Sequence, residues 1–118
     1  MMRSKFVWSI LVVALGMALA LPAVAKEQSW NNVALIDTMC LNKVKADPDK
    51  HPKSCLLQCA GSGFGILTAD GQYLKLDDEG NKKAATALKE SKKTDHIRAT
   101  VTGDLDGDTI KVKTLTLN

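Results

Sequence analysis

The chain has 118 residues, a formal charge of +3 and only 4% aromatic residues. Arg3 and Lys5 lie in an apolar leader, and without them the formal charge falls to +1, so no basic face for nucleic acid or anionic lipid is expected. Beyond that leader the aromatics are Trp30, Phe64 and Tyr73, too few to suggest a base-stacking platform.

Residues 1–25 read as a cleaved secretory signal peptide. Arg3 and Lys5 make the positive start, Phe6 to Leu21 is almost wholly apolar, and "PAVA" places Ala23 and Ala25 at the small positions of a cleavage site. About 16 apolar residues fall short of the roughly 20 that a membrane span needs. No cysteine sits at the cleavage site, so no stable membrane anchor is expected after cleavage. The expected location is periplasmic or secreted, with residues 26–118 forming a single domain large enough for a modest core.

"WNNVALID" (residues 30–37) is predicted to be a first strand. Val33, Ala34, Leu35 and Ile36 form an unbroken apolar run, as in a strand covered on both faces. A long polar connection, residues 38–62, follows. Within it "ADPDKHP" is loop sequence, whereas Ser54 is predicted to cap a short helix over residues 55–60 that Gly61 ends. "GFGILTADGQYLKLDD" (residues 63–78) reads as a hairpin turning at Asp70-Gly71. "DDE" (residues 77–79) reads as a solvated turn, and "NKKAATALKES" (residues 81–91) as a helix with Ala84 and Leu88 on one face.

"HIRATVTG" then alternates, with Ile97, Ala99 and Val101 inward. Asp106-Gly107 is predicted to turn into a last strand, "DTIKVKTLTLN". Ile110 and Val112 are out of phase with Leu115 and Leu117, which predicts a β-bulge near Lys113 or Thr114. The order is strand, long connection, strand, strand, helix, strand, strand. It predicts a mainly β fold: a small five-stranded OB-like Greek-key barrel with one short helix between strands 3 and 4. In such barrels the first connection is one of the ligand-binding loops.

That connection holds all three cysteines of the chain and one of its two histidines. Three cysteines cannot all pair within one molecule. The segment "DTMC…H…C…C", followed by "VTGDLDGDTIKVKTLTL", resembles a group of small exported bacterial OB-fold-like proteins. They share an Asp-x-x-Cys start, a His and a later Cys-x-x-x-Cys, here Asp37, Cys40, His51, Cys55 and Cys59. The resemblance implies the fold and export; it brings no established activity.

The residues themselves leave several readings open. In an oxidising compartment Cys40 can pair with Cys55 or Cys59; closing a loop of roughly 15 residues is worth about 3 kcal/mol in the chain-entropy picture. The domain would then be a disulfide-stapled interaction module for an envelope component or protein partner. Cys55 and Cys59 at i, i+4 on a regular helix are too far apart to bond each other. Alternatively Cys40, His51, Cys55 and Cys59 form a metal site, with Asp37 behind His51 as an orienting acceptor. Three thiolates and an imidazole suit zinc, and soft ligands, with Met39 adding a thioether, also suit copper. A lesser reading is thiol–disulfide exchange at Cys55, placed near a helix start with Lys53 beside it, but no Cys-x-x-Cys accompanies it.

Other motifs carry less. "GSGFG" precedes a strand and lacks the spacing of a phosphate cradle. "DLDGD" has neither the glycine nor the glutamate of a calcium loop at the required positions. With no triad or paired carboxylates to argue from, the expectation is a non-enzymatic binding or accessory domain.

Overall fold

The computed structural model describes residues 27–118; the proposed signal peptide lies outside the described residues. Five strands close into a barrel: β1 (Gln28–Asp37), β2 (Phe64–Leu67), β3 (Tyr73–Leu76), β4 (Arg98–Asp106) and β5 (Thr109–Leu117). Their order around the barrel is β1-β2-β3-β5-β4. The β3–β5 pairing is parallel, and the other four pairings are antiparallel. A 13-residue helix, Asp78–Glu90, bridges β3 and β4. The fold is therefore the small mainly β, OB-like barrel expected from the element order.

Each strand forms where its residues can serve two faces. Val33 and Leu35 join a core with Phe64, Ile66, Leu74, Ala99, Val101 and Ile110. Ala34 and Ile36 point the other way on β1 and are buried as well, at 3% and 0% exposure. The first connection folds back against β1, and its turn at Pro48–Lys50 lies on the strand. This second cover is why the apolar run is continuous instead of alternating.

Irregular positions fall where side-chain phase changes. Thr102 faces Thr114 and Gly103 faces Val112, so Lys113 is the extra residue on β5. The bulge restores agreement between Ile110 and Val112 on one side and Leu115 and Leu117 on the other. A second register shift lies between Trp30 and Val33, where Asn32 adopts φ 53°; Asn tolerates that region better than most residues. The β4–β5 turn consists of Gly107 and Asp108, one residue later than predicted. Gly107 has φ 67°, the conformation that a tight hairpin needs at its first central position.

The helix after β3 begins at Asp78, three residues before the predicted start. Asp77 is its cap: its Oδ1 accepts from Gly80 N at 2.9 Å. Asp78 and Glu79 then occupy the first turn, where acidic side chains favour the helix dipole. "DDE" is thus a helix start, not a free turn. Ala84 and Leu88 face the core as predicted, both at 0% exposure.

Candidate metal centre

The site is built where β1 ends. Asp37 continues the inward phase of Val33 and Leu35, so the strand delivers a carboxyl group to the end of the core. Asp37 is 0% exposed. Burying a carboxylate is costly unless donors surround it. Here Oδ2 accepts from Cys40 N at 3.0 Å, capping the short turn Thr38–Cys40. Oδ1 lies 2.7 Å from His51 Nε2. Given the carboxylate acceptor, Nε2 carries the proton and donates.

His51 arrives from the far side of the connection. After Thr38–Cys40 come α1 (Leu41–Val44) and the Pro48–Lys50 turn, and His51 N closes that turn on Pro48 O at 3.2 Å. His51 is 6% exposed. The segment is pinned from outside: Asp49 takes a two-pronged ion pair from Arg98, at 2.9 and 3.0 Å, and its carbonyl accepts from His96 N at 2.9 Å. The Arg98 guanidinium holds the Asp49 carboxyl below the usual carboxylate range, against the opposing effect of burial.

The last part of the connection is α2 (Lys53–Gln58), followed by the turn Ala60–Ser62. Pro52, not Ser54, stands at the cap of α2; no side chain caps it, and Ser54 lies within the helix. Proline's fixed φ already suits a helix entrance, which removes the need for the serine. Leu56, at 0% exposure, plugs α2 into the core. Lys53 Nζ is held by Ser91 O at 2.6 Å, so that ammonium is engaged with a carbonyl. Cys55 lies in mid-helix, and Cys59 is the closing residue, with its N–H bonded to Cys55 O at 3.1 Å.

The ligand atoms of Asp37, Cys40 and His51 lie within 4.8 Å of one another. Cys55 and Cys59 are outside that group. Cys59 nevertheless lies near Cys40, close enough to help push its thiol up. All three cysteines are half-buried free thiols. Burial first, then the hydrogen bond to Asp37 and its negative charge, push the Cys40 thiol up to about 11. That is the opposite of an activated nucleophile. In a nucleophilic cysteine site a base stands next to the sulfur and the acid stands behind the base. Here the carboxylate itself faces the thiol.

The same arrangement suits a cation. A metal ion inverts the local logic, because a coordinating thiol loses its proton outright. One carboxylate and one thiolate balance a divalent ion, which would take the place of the proton between Asp37 Oδ1 and His51 Nε2, with the Cys40 sulfur in the same group.

Several supporting residues escape sequence reading. Ser62 Oγ accepts from Met39 N at 3.1 Å and donates to Cys59 O at 2.9 Å, tying the two ends of the connection together. Thr38 N bonds Gly63 O at 2.9 Å. Tyr73 OH donates to Ile36 O at 3.0 Å and lies 3.0 Å from Thr38 Oγ1. Only the partial burial of a tyrosine at the start of a strand hints at such a role. Comparison of the chain with protein-family models, curated proteins and solved structures gave no match.

Proposed function

We propose that this protein is an exported, non-enzymatic accessory domain that binds a transition-metal ion, zinc or copper, at the mouth of its barrel. The observation that carries the reading is the buried Asp37 carboxyl, with His51 at 2.7 Å and the Cys40 thiol in the same group. Asp37, Cys40 and His51 are the ligand set; Cys59 is the adjacent sulfur and Cys55 the more remote one. A thiolate with an imidazole suits zinc and copper better than magnesium or calcium. The leader and the compartment it implies make the role one of holding or delivering an ion outside the cytoplasm.

Elemental analysis of protein purified from its own compartment under reducing conditions tests this, together with competition against a chromogenic chelator. One bound ion per chain is expected. Asp37→Asn, Cys40→Ser and His51→Ala variants that are folded by circular dichroism should each lose it. Retention of the ion by all three variants would remove the site.

A second reading, the disulfide-stapled interaction module, is favoured by the closeness of Cys59 to Cys40. A cleft of about 320 Å³ between β1, Pro48, Arg98 and the tip of the β2–β3 hairpin offers that module a surface for a protein or envelope ligand. Mass spectrometry of the native protein, followed by reduction and metal addition, separates the two readings: a Cys40–Cys59 bond with no ion taken up after reduction supports the staple.

A further inference from the structure

We infer that Cys40 is a shared sulfur: reduced, it ligates the metal ion with Asp37 and His51; oxidised, it bonds Cys59 and the ion is released. This inference rests on the metal reading and adds a control to it.

The geometry assigns the partner. Ser62 joins the Cys40 end of the connection to the Cys59 end through its bonds to Met39 N and Cys59 O. Gly63 O receives Thr38 N from the same turn. The two cysteine-bearing turns are therefore stitched side by side by contacts that need neither a metal nor a disulfide. Cys59 lies near Cys40, close enough to bear on its thiol, while Asp37 and His51 gather with Cys40 in a group that leaves Cys59 out. Cys55 does not compete with Cys40 as a partner for Cys59. It and Cys59 belong to one helical turn, closed by the bond from Cys59 N to Cys55 O. That spacing sets their Cβ atoms about 5–6 Å apart, against the roughly 3.8 Å that a disulfide needs. Cys59 is also the closing residue of its helix, with φ −100° and ψ 16°, so it can adjust without breaking α2.

The step needs an oxidant, and an external disulfide serves. The first thiolate of the pair attacks one sulfur of that disulfide and expels one thiolate. The second attacks the mixed disulfide and expels the other. The protein pair loses two electrons and the external disulfide gains them; the departing thiolates take up the Cys59 proton and one from solvent, because metal-bound Cys40 is already a thiolate. With Cys40 committed to the S–S bond, the ion keeps only a carboxylate and an imidazole and leaves.

The test uses the protein from residue 26 onward, reduced, loaded with one equivalent of zinc and treated with oxidised glutathione in the presence of a zinc-sensitive dye. Release of the ion should run in step with the loss of two thiols and the appearance of a Cys40–Cys59 peptide pair in digests. Cys55→Ser should behave as wild type. Cys59→Ser should bind zinc when reduced and keep it about tenfold longer, because only a mixed disulfide can then form. A Cys40–Cys59 bond with zinc retained overturns the release while leaving the metal site standing. Equal release rates in Cys59→Ser and wild type overturn the assignment of the partner. Failure of the reduced wild type to bind zinc or copper overturns the metal reading, and the release with it.

Discussion

Asp37 accepts from two groups while fully buried, so losing its carboxyl leaves His51 Nε2 and the Cys40 N–H without partners. Asp37→Ala is expected to destabilise the domain by about 3 kcal/mol in urea unfolding, since buried donors are left unpaired. Asp37→Asn keeps the shape and one acceptor. It should cost less stability but lose the bound ion, because a neutral amide replaces a charged ligand. Cys40 gives a second check. With its thiol pushed up to about 11, it should alkylate with iodoacetamide at pH 8 at least roughly tenfold more slowly in the native metal-free protein than in the unfolded chain. Its folded value is raised, so its contribution to stability is complete below the unfolded thiol value and is lost as pH rises through about 11. Fast alkylation of native Cys40 would mean that Asp37 does not face the sulfur.

At the scale of elements, the first connection depends on its tethers. Asp49 has a depressed value because of Arg98, so its contribution is present above the ordinary carboxylate range and is lost as pH falls through the folded value. Asp49→Asn should cost about 1 kcal/mol at pH 7 and flatten the acid limb of a stability–pH curve. The helix after β3 is seated by Asp77 and Gly80 together. Asp77 Oδ1 also accepts from Val112 N at 3.2 Å, and a Cβ on Gly80 would stand 2.5 Å from Val112. Gly80→Ala should therefore destabilise by about 1–3 kcal/mol in thermal melts, although alanine favours helices. The strands were legible because alternation and turn glycines are local signals, and the β5 bulge because a phase flip has one economical cause. Asp77 as a cap was missed because three acidic residues in a row also describe a solvated turn. In the connection, Pro52 replaced Ser54 as the cap. The closeness of Asp37, Cys40 and His51 depends on a chain reversal fixed from outside by Arg98, which no spacing rule encodes.

Across the whole molecule, the barrel and the connection support each other unequally. The barrel has its own core of residues from all five strands and the helix, whereas the connection supplies that core chiefly with Leu56. The connection is otherwise held by polar contacts at its two ends, at Asp49 and at Lys53, which belong to the less stable, locally opening part of a fold. An ion bound by residues from both sides of that connection should therefore stabilise a segment that the apolar core covers only partly. For an ion held at about 100 times its Kd, linkage gives about 2.7 kcal/mol. In a domain of this size that corresponds to a rise in Tm of roughly 10 °C. Hydrogen exchange should place the gain unevenly, with slower exchange at Cys40, His51 and the turn closing on Gly63, and little change at the centres of β4 and β5. A uniform slowing across the barrel would show that the ion acts elsewhere. A rise in Tm that survives in His51→Ala would show the same.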